Sequence, residues 1–304
     1  MGVDVSVCVA TFRRPEGLAR LLDSLGRMKL PHDMTADVVV VDNDPDASAA
    51  PLEERYRDFP LPMTWIHESE PNISVARNRS VEAAGGDWVA FVDDDEVVDE
   101  DWLAAYWKRQ ADDDSDGYCG PIPIQLEEVV EPWLDPAEFF FRPTYPTGTE
   151  LGLQHVRTGN AFVARRLFDA ETGRRFDPFY GRIGGEDTDF FGRLLEDGAR
   201  LTWCDEARVT EFYPAERCTF RFLVKRCFAS GVNLVHFELR GRSRGTRAGV
   251  LARTLYRLAG SVILLPVAAC RGRVAGAKMG LRLALQVGRV WGLCGRRHEQ
   301  YGSE

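Results

Sequence analysis

The feature that most constrains the fold is a run of four valines, residues 38–41, that ends at Asp42. A continuous run of β-branched residues indicates a strand buried on both faces, as in a parallel sheet that is covered by helices. Residues 3–10 and 88–92 form two similar β-rich runs, and helical patterns lie between the three. Because parallel strands need crossover connections, this alternation predicts right-handed βαβ units in an α/β sandwich.

Polar clusters follow all three runs, at the points where the strands are predicted to end. They are Thr11 to Arg14, Asp42 to Asp44, and Asp93-Asp94-Asp95. In sheets of this kind, ligands bind outside the carboxyl ends of the strands. The three clusters therefore predict a single crevice and a function that depends on a ligand bound there.

The three adjacent carboxylates at 93–95 are the most informative cluster. They repel one another unless a cation lies among them, and carboxylate oxygens suit the hard ions Mg²⁺ and Mn²⁺. The structural alternative is an acidic turn in water that caps the next helix, and the triplet alone favours neither interpretation. Its place after a buried strand and before Asp101-Trp102-Leu103 favours the metal site.

Two other charged pairs have both a functional and a structural interpretation. Arg77 and Asn78 belong to a predicted helix start, where an anion can bind, although a surface salt bridge is the commoner role of a single arginine. Glu186 and Asp187 follow two glycines and open a predicted helix. They either cap that helix or supply a general base for an acceptor hydroxyl. Asp189 lies on another side of this helix and is interpreted as a solvated or pairing residue.

No other catalytic pattern is recognisable in the sequence. None of the five histidines lies in a nucleophile motif, and the chain has no phosphate-loop lysine or GxGxxG pattern. The seven cysteines are scattered without a CxxC pair, which argues against a disulfide framework and a structural zinc site. Together with an N-terminus that lacks the features of a signal peptide, these observations predict a cytoplasmic protein.

The net charge of −9 is distributed unevenly along the chain. Residues 240–304 contain 13 Lys or Arg and 2 Asp or Glu, a balance of +11, so the rest carries −20. An acidic body argues against nucleic acid as a partner. Within the basic tail, Leu258 to Cys270 is an apolar stretch of thirteen residues, shorter than the ~18 of a spanning helix. It predicts either an interfacial helix on an anionic membrane or a hairpin packed on the body.

Four segments, in their order and spacing, resemble the family 2 glycosyltransferases, which are inverting enzymes of the GT-A fold. They are residues 5–14, the strand that ends at Asp42-Asn43, residues 76–103 with the acidic triplet, and residues 185–189. The resemblance implies a Rossmann-like α/β/α sandwich with a mostly parallel sheet. We expect a catalytic domain over residues 1–239, with a nucleotide-sugar half to about residue 116 and an acceptor half from there on, followed by a basic helical tail over 240–304.

The resemblance also implies roles for the residues that match. Thr11 and Asp42 would line the nucleoside pocket, and Asp93 would lie near the ribose. Asp95 would hold Mn²⁺ or Mg²⁺ against the diphosphate. Asp187 would be the catalytic base that takes the proton from the acceptor hydroxyl.

Further matching residues receive less specific roles. Arg13, Arg77, Asn78 and Asp94 would border the donor site, and Glu186 is the alternative base. Two departures leave points open. Glu211 stands near the position where some relatives carry a metal-binding histidine, and the middle carboxylate of the triplet could hold the ion as well as the last one.

The sequence thus predicts an inverting glycosyltransferase that moves a sugar from a nucleotide diphosphate-sugar, with UDP favoured as the nucleotide. The acceptor would be a saccharide or a lipid-linked hydroxyl in cell-envelope polysaccharide or glycolipid synthesis, and the tail would bring the enzyme to the inner face of the cell membrane. One alternative is a non-catalytic scaffold that binds nucleotide-sugar. Another is a sugar nucleotidyltransferase, which would be expected to carry a glycine-rich phosphate loop near the N-terminus, whereas residues 11–15 lack glycine.

Overall fold

The computed structural model describes residues 2–128, 131, 133–134, 139, 142–169, 174–239 and 244–295. The chain divides into two compact units. The first, called the sheet unit, comprises Met1–Gln125, Arg142–Gly181 and Glu186–Phe212. The second, called the helical unit, comprises Leu126–Phe141, Arg182–Gly185 and Tyr213–Glu304.

The strands that are described are β1 (Val5–Thr11), β2 (Ala36–Asp42), β3 (Met63–His67), β4 (Trp88–Val92), β5 (Glu96–Val98), β6 (Gly117–Cys119), β7 (Ile124–Leu126), β8 (Asn160–Ala164), β9 (Leu201–Trp203) and β10 (Val209–Tyr213). Seven of them form the main sheet, in the order β3-β2-β1-β4-β8-β6-β9. Strand β8 runs antiparallel to both of its neighbours, and the other neighbouring pairs are parallel. A small second sheet has the order β5-β10-β7. The predicted α/β fold with a mostly parallel sheet is therefore confirmed.

The helices that are described are α1 (Pro15–Leu25), α2 (Ala50–Arg55), α3 (Ile73–Ala83), α4 (Trp102–Asp112), α5 (Tyr180–Ile183), α6 (Glu186–Glu196), α7 (Phe220–Leu239), α8 (Arg244–Cys270) and α9 (Arg273–Leu293). The valines of β2 show why the sheet is covered on both faces. Val38 and Val40 share one hydrophobic core with α1 and α4, whereas Val39 and Val41 share a second core with α3 and α6. All four are fully buried, so each face of this strand gains the stabilisation of apolar burial.

A buried asparagine holds the reversed strand β8 in place at the sheet edge where β4 and β6 end. Asn160 is the first residue of β8 and lies opposite Val92 in the register. Its side-chain oxygen accepts hydrogen bonds from Trp102 Nε1 at 2.8 Å and from Tyr106 Oη at 2.7 Å. Its Nδ2 donates to the carbonyl oxygens of Pro121 and Ala207. A buried amide that uses both of its ends in this way fixes the surrounding loops without leaving a polar atom unsatisfied.

The helical unit contains α7, α8 and α9, and glycines bring α7 and α9 close together. A Cβ added at Gly231 of α7 would lie 2.1 Å from the carbonyl oxygen of Leu285. A Cβ added at Gly288 of α9 would lie 2.0 Å from the carbonyl oxygen of Phe228. Larger side chains would therefore force the two backbones apart, and the absence of a Cβ is what allows this approach.

Helix α8 exposes large apolar side chains along most of its length. Tyr256 is 81% exposed and Ile263 71% exposed, and the set is completed by Leu251, Leu255, Val262, Leu264 and Val267. The segment Thr246–Cys270 is long and apolar enough to cross a membrane, with a mean hydropathy of 1.4. We call this set of seven side chains the apolar face of α8. Soluble proteins rarely expose a continuous apolar surface of this kind without a function for it.

The apolar stretch from Leu258 to Cys270 is only part of a helix of 27 residues, because Arg257 interrupts the apolar composition but not the helix. In the division into two units, α7 belongs with α9, against which it packs. The boundary at residue 239 between a catalytic domain and a tail stays a prediction. Residues 240–243 and 296–304 of the predicted tail lie outside the described residues, as do 129–130, 132, 135–138, 140–141 and 170–173 of the predicted acceptor half.

Candidate active site

The three polar clusters predicted from the sequence meet at one edge of the main sheet. Strands β1, β2 and β4 are parallel neighbours, so their carboxyl ends lie side by side. Thr11 and Asp42 are paired in the register of β1 and β2, and the acidic triplet directly follows β4. The edge of a doubly wound sheet at which such strands end is the usual place of a ligand site.

The middle carboxylate of the triplet is the most tightly held. Asp94 is buried, and its two oxygens accept hydrogen bonds from Thr11 Oγ1 at 2.8 Å and from Arg14 Nη1 at 3.0 Å. Burial raises the pKa of Asp94 to about 6, and the neighbouring Asp95 and Asp93 add to this rise while Arg14 opposes it. The same Arg14 nitrogen lies 2.9 Å from Oδ2 of Asp95. Arg14 is thus the cation that relieves the repulsion between these two carboxylates.

Arg77 links the triplet to the second acidic motif. Its side chain is buried, it lies 3.0 Å from Oδ1 of Asp93, and it forms an ion pair with Glu186. Burial alone would lower the pKa of Arg77, but the carboxylates of Asp93, Glu186 and Asp187 raise it above its ordinary value. A buried charge persists only when it is paired, so this arginine ties two segments together that are 109 residues apart.

The two residues proposed as base differ in their surroundings. Glu186 is buried against Arg77, and burial raises its pKa while Arg77 opposes that rise. Asp187 is half-buried, and its Oδ1 accepts a hydrogen bond from the backbone N–H of Thr188 at 2.6 Å. Asp189 is fully buried and paired with Arg193, so the pairing interpretation applies to it and the solvated one does not.

Other predicted site residues are occupied by the fold around them. Asp42 accepts the backbone N–H of Asp44 at 3.1 Å and that of Ala49 at 2.8 Å, and so closes the turn after β2. Asn78 uses both ends of its amide on the backbone of Phe176. Through these bonds the two side chains shape the walls near the crevice.

Two further charged residues pair away from the triplet. Arg13 has a φ of 54° and pairs with Asp44 at 3.2 Å and with Asp46 at 3.6 Å. Glu211, considered above as a metal ligand, forms an ion pair with Arg142. Both arginines neutralise carboxylates that border the crevice.

Glu96 is a site residue that the sequence did not single out. It is buried directly behind the triplet, and its Oε2 accepts the backbone N–H of Asp93 at 2.9 Å. Burial raises its pKa well above the ordinary value, and Asp93 and Glu211 add to the rise. A Cβ added at Gly159 would lie 2.6 Å from Glu96 Oε1 and 3.3 Å from Asp93 Oδ2. The signal was present as a fourth acidic residue next to the triplet.

An open pocket is lined in part by Asn160, which lies opposite Val92 at the end of β4. Its lining includes Arg142, Tyr145, His155, Asn160 and Trp203. The rings of Tyr145 and Trp203 meet edge to face at 5.3 Å. The turn Leu153–His155 packs against α6, which carries the predicted base. The wall of the pocket at His155 therefore lies next to the helix that carries the predicted base.

The donor atoms at this edge fit a divalent cation that is shared with a ligand. The part of the chain that the structure describes contains no group of three or more His, Cys, Asp or Glu side chains able to hold a metal by themselves. Asp93 and Asp95, however, retain side-chain exposures of 42% and 16%. Mg²⁺ and Mn²⁺ commonly bind through one or two carboxylates and complete their coordination with substrate phosphates and water. Arg14 already shows that this position attracts positive charge.

Comparisons with known proteins agree with this architecture. A sequence model of the family described as glycosyl transferase family 2 matches residues 6–171. The succinoglycan biosynthesis protein ExoM of Rhizobium meliloti is 34% identical over 313 residues, which cover 99% of this chain and 96% of that protein.

Two solved structures are similar in fold. The mannosyltransferase PcManGT from Pyrobaculum calidifontis, in complex with GDP-Man and Mn²⁺, has a TM-score of 0.64 at 19% identity and covers 97% of this chain and 88% of its own. Residues 1–349 of S. aureus TarS, in complex with UDP-GlcNAc, have a TM-score of 0.56 at 16% identity, with coverages of 97% and 93%. At these identities the likeness concerns the fold alone.

Proposed function

The chain belongs to glycosyl transferase family 2, and we propose that it is an inverting, metal-dependent enzyme that moves a sugar from a nucleotide diphosphate-sugar to an acceptor hydroxyl. The observation that carries the proposal is the buried Arg77, which joins Asp93 of the acidic triplet to Glu186 beside Asp187. A transferase needs a site that holds the leaving diphosphate next to a base for the acceptor. Arg77 holds the two candidate groups in one crevice.

The donor end is assigned to the strand ends of β1, β2 and β4. Thr11, Arg13 and Asp42 border the nucleoside pocket, and Asp93 lies near the ribose. Asp95, with Asp94 as the buried carboxylate behind it, would hold Mn²⁺ or Mg²⁺. The ion, when bound, offsets the negative charge that grows on the leaving diphosphate. Support for a nucleotide-sugar donor comes from the complexes of TarS with UDP-GlcNAc and of PcManGT with GDP-Man and Mn²⁺.

Asp187 is the better candidate for the base, and Glu186 for a residue that positions it. Glu186 is buried, so a substrate cannot reach it easily, and its negative charge is paired with Arg77. Asp187 lies at the start of α6 with part of its side chain exposed. From there it can accept the proton of an acceptor hydroxyl as that oxygen attacks the anomeric carbon from the face opposite the diphosphate. Attack from that face inverts the anomeric centre.

The acceptor is proposed to enter the pocket next to α6. The aromatic rings of Tyr145 and Trp203 offer apolar faces, and Arg142 offers hydrogen-bond donors. Within the described residues, Nδ1 of His155 is buried without a hydrogen-bond partner. An apolar pocket with a few polar groups is the usual form of a small-molecule site, and a saccharide presents both kinds of surface. The similarity to a succinoglycan biosynthesis protein over nearly the whole of both chains supports a saccharide acceptor in polysaccharide synthesis.

The experiment that tests this function is a transfer assay with a panel of nucleotide-sugars. UDP-glucose, UDP-GlcNAc and GDP-mannose are incubated with the full-length chain, a mixture of saccharide acceptors, and either Mn²⁺ or excess chelator. We expect one donor to be consumed in the presence of Mn²⁺ only, with inversion visible in the proton NMR spectrum of the product. Binding without turnover would support the scaffold. Formation of a nucleotide-sugar, with release of pyrophosphate, from a nucleoside triphosphate and a sugar phosphate would support the nucleotidyltransferase.

A membrane location is the second part of the proposal. Exposed Arg257 lies among the side chains of the apolar face of α8, exposed Arg271 directly follows the helix, and α8 contains no acidic residue. Apolar side chains flanked by arginines are the composition of a helix that lies in the headgroup region of an anionic leaflet. Liposome flotation of the full chain tests it. Binding should need anionic lipid and weaken in high salt, and a protein that stays at the bottom of the gradient at low salt would contradict the proposal.

A further inference from the structure

Arg14 forms an ion pair with Asp95, the carboxylate that the proposed metal would use. A single nitrogen, Nη1, lies 3.0 Å from Asp94 Oδ1 and 2.9 Å from Asp95 Oδ2. One guanidinium therefore bridges the middle and last residues of the triplet. The inference developed from this contact rests on the proposed function, because it concerns the same cation.

The backbone of Arg14 is part of the start of α1, whereas its side chain is partly exposed. Arg14 precedes the first turn of α1, and Pro15 follows it at the first helical position. The same turn packs on the triplet, since a Cβ added at Gly17 would lie 2.6 Å from the carbonyl oxygen of Asp94. The Arg14 side chain itself is 41% exposed. It can thus change rotamer without any change in the fold.

The two contacts of Arg14 are not equivalent. Asp94 is buried, and its other oxygen is held by Thr11. Asp95 has about twice the side-chain exposure of Asp94, 16% against 7%. The contact with Asp95 is the one that can be exchanged for another ligand, because water and a substrate reach it more easily.

We propose that Arg14 is a positioning residue which holds the Asp95 carboxylate in the ligand-free enzyme and must release it before a divalent cation binds there. A guanidinium and a divalent cation repel each other, and they compete for the same oxygen. A bare ion therefore binds weakly, whereas an ion that arrives with a diphosphate brings the charge that compensates for the displacement. The released guanidinium can then donate to a phosphate oxygen, an anion that its planar fork suits.

The test measures Mn²⁺ binding directly, by the loss of the free-ion EPR signal, in the absence of any nucleotide. Arg14→Gln removes the competing charge, and we expect a Kd for Mn²⁺ about threefold to tenfold lower than in the wild type, in keeping with the energy of a partly exposed ion pair. Arg14→Lys keeps the charge and should stay close to the wild type. Arg57→Gln is the matched control, because Arg57 is an exposed arginine of the same unit whose ion pair is with Glu54.

A second titration adds UDP at saturating Mn²⁺. We expect the affinity for UDP to fall about threefold to tenfold in Arg14→Gln, since one donor to the phosphate is lost. Arg14→Met serves as a second variant if the glutamine protein unfolds at a lower temperature. If folded Arg14→Gln and Arg14→Met bind Mn²⁺ without nucleotide no more tightly than the wild type, the proposed role of Arg14 is wrong.

The Mn²⁺ titrations distinguish an error in the proposed metal from an error in the role of Arg14. If the wild type binds Mn²⁺ neither alone nor with UDP or GDP, the metal in the proposed function is wrong. If the wild type binds Mn²⁺ together with a nucleotide but Arg14→Gln does not bind the bare ion more tightly, only the inference about Arg14 is wrong.

Discussion

The two units of the chain depart from the ordinary distribution of polar and apolar residues in opposite ways. The sheet unit buries charge, since the side chains of Arg77 and Glu186 are only 8% and 9% exposed. The helical unit exposes apolar surface, since Tyr256 and Ile263 are 81% and 71% exposed. Both departures cost free energy in an isolated soluble domain.

The difference shows what each unit lacks in the free protein. Buried carboxylates around Arg77 and Arg14 are expected where a charged ligand is to be bound in a dry crevice. An exposed apolar face is expected where an apolar environment completes the structure. A substitution should therefore affect chemistry when it is made in the sheet unit and location when it is made in α8.

The largest effect is expected at the proposed base. Asp187→Asn keeps the shape of the side chain but cannot accept a proton, so transfer should fall by roughly 10²–10⁴-fold while the affinity for the donor is retained. Initial rates and calorimetry with the donor measure the two quantities separately. Glu186→Gln is the comparison, because it should weaken the tie to Arg77 and reduce transfer less. A variant at 187 with nearly full activity would move the base elsewhere.

The next effect is on stability, and it compares a buried arginine in each unit. Arg77→Met leaves Glu186 buried without its cation and should lower the free energy of unfolding by about 3–5 kcal/mol. Arg289→Met should cost less, because its partner Glu238 is 30% exposed and is also paired with Arg253. Denaturant titration of both variants gives the comparison. Equal losses would mean that the two pairs are equivalent.

The loss at Arg77 should also depend on pH. Burial already raises the pKa of Glu186 in the folded protein, and removal of Arg77 raises it further. A carboxyl whose pKa is higher in the folded than in the unfolded state stabilises the fold when protonated, and this contribution is lost as the pH rises. The deficit of Arg77→Met should therefore be smaller at about pH 5 than at about pH 8. A deficit that is independent of pH would show that packing dominates.

A smaller effect is expected on the apolar face of α8. Ile263→Ser should leave the free energy of unfolding within about 0.5 kcal/mol of the wild type, because the side chain is exposed. It should nevertheless weaken binding to anionic liposomes by about tenfold or more, since a buried apolar side chain contributes about 1.5–3 kcal/mol. Flotation at several lipid concentrations measures this. The matched variant is Leu30→Ser, on a half-buried residue of the sheet unit, which should leave the flotation unchanged.

The smallest effect on the enzyme is expected from thiol labelling. Burial raises the pKa of Cys8 and of Cys119 to about 12, so these thiols should stay unmodified in the folded sheet unit. Cys270 and Cys294 are exposed and should react first, without loss of transfer. Mass spectrometry of the labelled peptides checks the order. Protection of Cys270 by anionic liposomes would sharpen the comparison, since it borders the apolar face.

The sequence predicted the parts of the fold that depend on local patterns of residues. The valine run and the acidic triplet located β2 and β4 and the edge at which they end. The direction of β8 was not predictable, because the residues of a buried strand are the same whichever way it runs and its reversal depends on distant connections. The apolar stretch that begins after Arg257 underestimates the length of α8, because arginine ends an apolar stretch but is a good helix former.

The site was predictable as a set of residues and not as a set of contacts. Local sequence places Arg77, Asn78 and Glu186 near helix starts. It does not show that Arg77 bridges Asp93 and Glu186, or that Asn78 is fully used by the backbone of Phe176. Each of these pairings depends on the tertiary arrangement of distant segments. The roles of Thr11, Arg13, Asp42, Asp94 and Asp95 in donor binding stay predictions.

The hydrogen bonds that frame the crevice join residues far apart in the chain, and this has a consequence for folding. Thr11 and Asp94 are separated by 83 residues, Asn72 and Pro178 by 106, and Arg77 and Glu186 by 109. Contacts between distant segments close large loops and therefore form slowly. On the ribosome, Arg77 and Asp93 emerge long before Glu186. A nascent chain that ends before α6 therefore has only one of the two carboxylates that pair with Arg77, and the crevice is complete only when nearly the whole sheet unit has been synthesised.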